Sequence, residues 1–215
     1  YMVTVSVTVV AGILILGEFG ISVAPILGAA GVVGIALGFG AQSLVKDYFT
    51  GFFLLLENQI RVGDSVEAGG KSGVVEELTL RYLRLRDYAG NVHYVPNGTI
   101  TVVTNKSLGF AYAVVDAGIA SSEDIDRAVA VMRRVGDGLR QDAAFAGRIL
   151  APIEIAGVET LSESALVIRC RVKAVPLEQD SVRREYLRRL KMAFDEAGIE
   201  LPSRHYKLLM TPSKE

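Results

Sequence analysis

The chain has 215 residues, with 23 Lys and Arg against 24 Asp and Glu, a formal net charge of -1 and a pI near 6.2. This balance excludes the basic surface that nucleic-acid-binding proteins present, and the single cysteine excludes a framework of internal disulfides. Hydrophobic residues make up 50% of the chain and the mean hydropathy is +0.35, which is high for a water-soluble protein of this length.

The hydrophobic excess is concentrated at the N-terminus. Residues 1–45 contain one charged side chain, Glu18, whereas charged residues are frequent from Lys46 onward. The pattern therefore predicts a membrane part followed by an aqueous part. Because residue 1 is Tyr rather than Met, we expect that this sequence belongs to a longer chain with further helices before it.

Two apolar segments and one amphipathic segment make up the predicted membrane part, residues 1–58. Residues 2–16 predict a helix rather than a strand, because an isolated strand in lipid would leave its backbone groups unpaired. A turn follows at 17–20, and residues 26–44 predict a second membrane helix. Residues 45–58 mix charged, aromatic and leucine side chains, which is typical of a helix at the membrane surface.

The distribution of basic residues predicts the orientation. Lys and Arg first appear after the second apolar segment, and the turn that carries Glu18 contains neither. By the positive-inside rule, residues from about 59 onward lie in the cytoplasm and the Glu18 turn lies outside. The sequence thus predicts a multi-pass protein of the cell (inner) membrane.

The residue pattern of 59–108 predicts a small β domain. Apolar alternation and β-branched residues predict strands, and Gly, Pro and Asn clusters between them predict turns. The predicted strands are 62–67, 74–86, 92–95 and 100–103. Short strands at this spacing indicate a β-barrel-like domain.

Residues 109–205 alternate between strand and helix patterns and predict an α+β domain. The predicted strands are 112–119 and 166–174, and the predicted helices are 122–139 and 179–197. Gly198 is a typical residue to end the last helix. The remaining residues, 206–215, predict a terminal strand or tail.

The most informative segment is LGAAGVVGIALGFGA, residues 27–41, in which nine of fifteen residues are Gly or Ala. A glycine inside a helix costs about 1 kcal/mol relative to alanine. Five glycines are therefore unexpected in a helix that only anchors the chain in lipid. Small residues do allow membrane helices to approach each other closely.

At 100° per residue, the larger side chains of this helix fall on one narrow stripe, formed by Val32, Ile35, Phe39 and Gln42. Small residues flank the stripe on both sides. One flank consists of Gly31, Gly34 and Gly38, and the other of Ala29, Ala36 and Gly40.

Two small-residue flanks indicate two neighbouring helices of the same kind. A dimer needs one such flank, whereas a closed ring in which each copy contacts the next needs both. The stripe would then face the ring axis, and Ile35 and Phe39 would form two apolar rings. A narrow apolar constriction resists wetting and so blocks ions. The alternative is ordinary helix packing, with Phe39 against a neighbouring membrane helix.

The sequence from Leu27 to Val66, together with the turn Val95-Pro96-Asn97, resembles the small-conductance mechanosensitive channel (MscS) family. The shared features are the Gly/Ala helix, the connection from Gln42 to Gly51, Arg61-Val62-Gly63-Asp64 at the start of the β domain, and the Pro-Asn turn. The resemblance extends over about residues 1–205 in element order.

The resemblance implies a homo-heptamer opened by membrane tension, which releases ions and small solutes during hypo-osmotic shock. It implies a helical pore region, an Sm-like β domain and an α+β domain. Ile35 and Phe39 would form the hydrophobic seal, with Val32 and Gln42 also lining the pore. Ser43, at a position where the family often has glycine, would mark a bend, and Gly51 a second flexible point.

No nucleophile–base pair, metal-ligand spacing or dinucleotide-binding loop occurs in the sequence, so we expect no catalytic residue, cofactor or metal. The two histidines, His93 and His205, have no ligand or catalytic partner near them in sequence. The expected partners are membrane lipids, permeating ions and copies of the chain, and not nucleic acid. The alternative function is a membrane-tethered, ring-forming β-domain binding module without channel activity.

Overall fold

A computed structural model of the chain describes residues 1–202 with the exception of residue 164. Two compact units divide these residues: the first contains 1–62, 68–71 and 76–103, and the second contains the others. The strand or tail predicted for residues 206–215, and His205, lie outside the described residues.

The N-terminal residues form two helices, α1 (Met2–Glu18) and α2 (Ala24–Leu56). Pro25 lies in the first turn of α2, where its missing N–H group costs no hydrogen bond. The sequence predicted separate helical stretches meeting at residues 44–45, and this boundary is wrong, because α2 continues as one helix of 33 residues. Lys46 and Asp47 end the apolar composition but do not interrupt the helix.

Five short strands follow: β1 (Ser65–Ala68), β2 (Lys71–Leu78), β3 (Tyr82–Arg86), β4 (Val92–Pro96) and β5 (Val103–Asn105). They form one sheet in the order β4-β3-β2-β1-β5. A 3-10 turn, Asn97–Thr99, lies between β4 and β5.

The long strand predicted at 74–86 is two strands. They are separated at Thr79, whose Oγ1 accepts hydrogen bonds from the backbone N–H groups of Arg81 (3.2 Å) and Tyr82 (3.0 Å). A hydroxyl that bonds to nearby backbone in this way stabilises a turn. One of the predicted turns, the Gly90-Asn91 cluster between the strands 74–86 and 92–95, forms the hairpin that joins β3 to β4, with Gly90 at φ +89°.

The C-terminal elements are β6 (Ala111–Ala120), α3 (Ile125–Gln141), β7 (Glu154–Leu161), β8 (Ala165–Ala174) and α4 (Gln179–Ala197). The strands form an antiparallel sheet in the order β6-β8-β7. The core of this unit combines alternate residues of the strands with residues of both helices, including Ile119, Ile168, Cys170, Met132, Tyr186 and Phe194.

The predicted order of an apolar helical region, a small β domain and an α+β domain is therefore confirmed. The ends of α4 agree with the prediction, and Gly198 ends it in the left-handed conformation at φ +63°. Helix α3 begins three residues later than predicted, because Asp124 caps it by accepting hydrogen bonds from the N–H groups of Asp126 and Arg127.

The surface of α4 contains a charge cluster that ties it to the end of α3. Arg189 pairs with both Asp142 (2.5 Å) and Glu185 (2.8 Å), and Arg188 pairs with Glu185 (2.6 Å). Hydrogen bonds from Arg188 and Arg189 lower the pKa of Glu185 to about 2, and a hydrogen bond from Arg189 lowers the pKa of Asp142.

We predict that acid weakens this cluster. A carboxyl whose pKa falls on folding stabilises the native state above its unfolded pKa, here 4.5 for Glu185, and the stabilisation is lost as the pH falls toward 2. Amide hydrogen exchange in α4, corrected for its intrinsic pH dependence, should therefore accelerate between pH 5 and 3. Glu185→Gln should lessen this acceleration, whereas Glu196→Gln, at an exposed site on the same helix, should leave it unchanged. Equal profiles for both variants would contradict the assignment.

Candidate functional site

The length of α2 determines how much of it lies in lipid. A helix of 33 residues is about 50 Å long, whereas the hydrocarbon layer of a bilayer is about 30 Å thick. The segment from Ala24 to Val45, which ends before the first charged residues, is about 33 Å long. Residues 46–56 therefore extend past the hydrocarbon layer.

Within the described residues, α2 is the one helix long and apolar enough to cross a membrane. Helix α1 is equally apolar but shorter, with 17 residues and a length of about 25 Å.

The stripe predicted to face the ring axis is uncovered in the single chain. Val32, Ile35 and Phe39 have exposed fractions of 69%, 61% and 74%. Ile35, Phe39 and Gln42 line one shallow groove together with Gly38 and Val45, so the structure places these three predicted residues side by side. An apolar row of this length would be unfavourable in water. We therefore expect lipid or another protein molecule to cover this face of α2.

The glycines of α2 divide into two groups by their surroundings. A Cβ atom built on Gly31, Gly34, Gly38 or Gly40 would meet no atom of the described residues within 4 Å, the neighbouring backbone of α2 itself excepted. Ala29 and Ala36, on the opposite flank from the first three, are also exposed. Packing within one chain therefore does not explain why these positions are small.

Gly51 is the contrasting case. A Cβ atom there would overlap the carbonyl oxygen of Leu80 and the side-chain amide of Asn97. Close approach of backbone therefore requires a glycine at this position. Neither Gly51 nor Ser43 interrupts α2, so their roles as hinges remain predictions.

Asp47, one helical turn before Gly51, makes the second contact between α2 and the turn that follows β4. Its Oδ1 atom accepts a hydrogen bond of 2.7 Å from the backbone N–H of Gly98. A side chain at Gly98 would come within 2.6 Å of that same oxygen. Asp47 is only 9% exposed, and it is the one buried charged residue in the described part of the chain.

Asn97 completes this contact, which we call the α2 seat: Asp47, Gly51, Leu80, Asn97 and Gly98. The fully buried Asn97 donates a hydrogen bond from Nδ2 to the carbonyl oxygen of Thr79 (2.9 Å). Its backbone N–H donates to the carbonyl oxygen of Arg81 (2.9 Å). Sequence reasoning identified the Pro96-Asn97-Gly98 turn but missed its contact with α2. The available signal was the carboxylate of Asp47, which directly follows the apolar segment that ends at Val45.

The arginines of β3 are not available for a polyanion. Arg84 pairs with Glu76 (3.2 Å) and Glu77 (2.9 Å), and Arg86 also pairs with Glu76. The hydrogen bond from Arg86 lowers the pKa of Glu76, and Glu76 and Glu77 together supply two carboxylates opposite the two guanidinium groups.

An apolar helix that continues into a small β domain and then an α+β domain defines a class, the mechanosensitive ion channels. Three family models match this chain in succession: "Mechanosensitive ion channel, transmembrane helices 2/3" at residues 1–42, "Mechanosensitive ion channel, beta-domain" at 43–108, and "Mechanosensitive ion channel MscS, C-terminal" at 113–201. The chain belongs to the small-conductance mechanosensitive channel (MscS) family, a family of channels and not of enzymes.

Named relatives support this assignment. The chain is 33% identical over 204 residues to the small-conductance mechanosensitive channel of Caldanaerobacter subterraneus subsp. tengcongensis, covering 95% of this chain and 71% of the relative. It is 33% identical over 199 residues to the moderate conductance mechanosensitive channel YbiO of Escherichia coli, covering 93% of this chain but 27% of that relative.

Solved structures share the fold. The closed-state crystal structure of Helicobacter pylori MscS superposes with a TM-score of 0.82 at 23% identity, covering 99% of this chain and 83% of the other. The cryo-EM structure of Arabidopsis thaliana MSL1 superposes with a TM-score of 0.70 at 18% identity, covering 94% of this chain and 74% of the other.

We predict that one of two Gly→Ala substitutions in α2 destabilises the α2 seat and that the other leaves it unchanged. Gly51→Ala should destabilise the α2 seat by about 1–3 kcal/mol, because the new methyl group overlaps the Leu80 carbonyl. Hydrogen exchange at residues 79–82 and 97–100 should accelerate accordingly. Gly34→Ala should leave exchange at these residues unchanged, since its Cβ atom meets nothing in the chain. Unchanged exchange in Gly51→Ala would refute the steric reason for this glycine.

A second prediction concerns Asp47. Asp47→Ala should leave the Gly98 N–H without its acceptor, at a cost of about 1–3 kcal/mol. Exchange of that amide should become roughly tenfold faster or more. Asp47→Asn keeps an oxygen at the same position and should restore most of the protection. If the Gly98 amide is equally protected in all three proteins, the hydrogen bond does not stabilise the α2 seat.

Proposed function

We propose that this chain forms a mechanosensitive ion channel as a homo-heptamer, gated by an apolar constriction of Ile35 and Phe39. Membrane tension opens the channel, which releases ions and small solutes during hypo-osmotic shock. The observation that carries the proposal is that Gly31, Gly34 and Gly38 have no steric reason within their own chain. Their small size is explained if each copy of α2 packs against two neighbouring copies.

The gate follows from this packing. If both small flanks contact neighbours, the stripe between them faces the axis, and Ile35 and Phe39, one turn apart, form two successive apolar rings. Water leaves a narrow apolar constriction, and a dehydrated constriction excludes ions. Widening the ring under tension would let the constriction fill with water. Smooth Gly and Ala surfaces allow neighbouring helices to tilt or slide with little steric cost.

Val32 and Gln42 extend the pore lining on either side of the gate. Ser43 is one predicted bend of α2 as the channel changes state, and Gly51, the second predicted flexible point, could bend only if its contacts with Leu80 and Asn97 loosened. The α2 seat would hold the C-terminal part of the helix. Movement would therefore be concentrated in the membrane segment, residues 24–45. Gly51 would then influence how the channel closes under sustained tension.

The proposed orientation places residues from about 59 onward in the cytoplasm, in a multi-pass protein of the inner membrane. Lys46 is the first basic residue, and Arg61 and Lys71 follow it, whereas the loop between α1 and α2 contains no cation. This asymmetry satisfies the positive-inside rule. Membrane lipids and permeating ions are the proposed partners besides the copies of the chain.

A ring-forming module that binds RNA through the β domain is the weaker alternative. Such a module needs free cations beside aromatic side chains. Arg84 and Arg86 instead pair with Glu76 and Glu77. No observation on the β domain favours binding of a polyanion over passage of ions.

We predict that Phe39→Ser produces a channel that leaks or opens at lower tension, because a hydroxyl in the constriction favours wetting. Leu37→Ser is the matched control: it introduces the same side chain on the opposite face of the same helix turn. Patch recordings from membranes under graded suction should show a lower threshold in the first variant and a much smaller change in the second. Equal thresholds for Phe39→Ser and the unmodified channel would contradict the proposed gate.

A further inference from the structure

Lys46 continues the stripe of α2 that would face the pore axis in the proposed ring. At 100° per residue, Lys46 lies within about 20° of Phe39 and on the opposite side of the helix from Val33 and Leu37. Helix α2 is unbroken between Phe39 and Lys46, so this direction is maintained over the two turns that separate them. The stripe therefore changes along α2 from apolar side chains to the amide of Gln42 and then to an ammonium group.

The ammonium of Lys46 has no counter-charge on its own face of α2. The other charged residue of this helix is Asp47, which points about 100° away and is 9% exposed. Its Oδ1 atom accepts the hydrogen bond from Gly98 in the α2 seat. Lys46 is exposed, and no hydrogen bond or ion pair joins its side chain to another described residue. The carboxylate is thus held in the seat, whereas the ammonium is free on the stripe.

A lysine at the end of a membrane helix can also extend to lipid headgroups. The direction of Lys46 argues against that contact. In the proposed ring, lipid would lie on the side of α2 that carries Val33 and Leu37, and Lys46 lies on the other side. Its ammonium would instead join those of the neighbouring copies around the axis, about 10 Å along the helix from the level of Phe39.

A ring of ammonium groups beside a pore attracts anions and repels cations. The electrostatic potential of each charge extends about 8 Å at physiological salt. An ion that passes from Phe39 toward Lys46 therefore enters this field before it leaves the ring of helices. Gln42, one turn before Lys46, is uncharged and does not oppose the field.

We propose that Lys46 determines the ion selectivity of the open channel, and that its ring of ammonium groups favours small anions such as chloride over small cations. This role rests on the proposed function, because only a ring of α2 helices brings the copies of Lys46 together around one axis. It adds to that function the class of ion that the open channel prefers and the residue that sets the preference.

Reversal potentials of the full chain test the proposal, in patches under suction from cells that lack other mechanosensitive channels. With a KCl gradient across the patch, we expect the unmodified channel to prefer chloride. Lys46→Gln should lower the ratio of chloride to potassium permeability by roughly threefold or more. Lys46→Glu should reverse the preference, and Lys46→Arg, which keeps the charge, should preserve it. Lys71→Gln, which removes an exposed lysine of β2, is the control and should also preserve it.

The salt dependence gives a second readout. The preference of the unmodified channel should weaken between about 0.1 M and 1 M salt at a constant gradient, since the screening length falls from about 10 Å to about 3 Å. Unchanged reversal potentials in Lys46→Gln and Lys46→Glu, in channels that still open under suction, would overturn the role of Lys46 and leave the proposed gate intact. A chain that passes no current under suction would overturn both.

Discussion

The proposed channel depends on one constraint, which is close packing of α2 against other copies of the chain. Gly31, Gly34 and Gly38 each weaken the helix by about 1 kcal/mol relative to alanine, and none contacts another element of the chain. A membrane offers no hydrophobic driving force for helix association, so small residues that permit close van der Waals contact supply it instead. The stripe of Val32, Ile35 and Phe39 is exposed in one chain, and the proposed ring would place it around the pore axis.

The α2 seat fixes the C-terminal part of the same helix to the β domain. Gly51 and Gly98 allow backbone to approach backbone, while Asp47 and Asn97 supply buried hydrogen bonds. The membrane segment of α2, residues 24–45, differs from the seat. Its flanks consist of small residues, and no described hydrogen bond joins it to the β domain. One continuous helix therefore combines a segment suited to sliding with a segment that is held. Such a combination would allow lateral tension to move the proposed gate while the β and α+β domains remain folded.

The features that could be predicted from the sequence are those that depend on the composition or periodicity of a single segment. The Gly/Ala helix, the hairpin at Gly90 and the end of α4 at Gly198 all follow from single-segment patterns. Strand β7 was missed because most of it is exposed and its pairing with β8 shifts register beside Gly157, which breaks the alternation. The α2 seat was missed because Asp47 and Gly98 are distant in sequence, and neither a helical nor a strand period reports such a contact. Lys46 and Asp47 end the apolar composition without ending the helix, so the predicted break at residues 44–45 is wrong.

Disulfide cross-linking in the membrane tests most directly whether both small flanks contact neighbouring copies. In a Cys170→Ala background, cysteines replace Gly34 on one flank and Ala36 on the other, at nearly the same height along the helix. Because a ring brings one flank of each copy to the opposite flank of the next, oxidation of the double variant should produce a ladder of covalent oligomers up to the closed ring. Each single variant should remain essentially uncross-linked. Covalent dimers alone, or ladders in the single variants, would contradict the ring and with it the proposed gate.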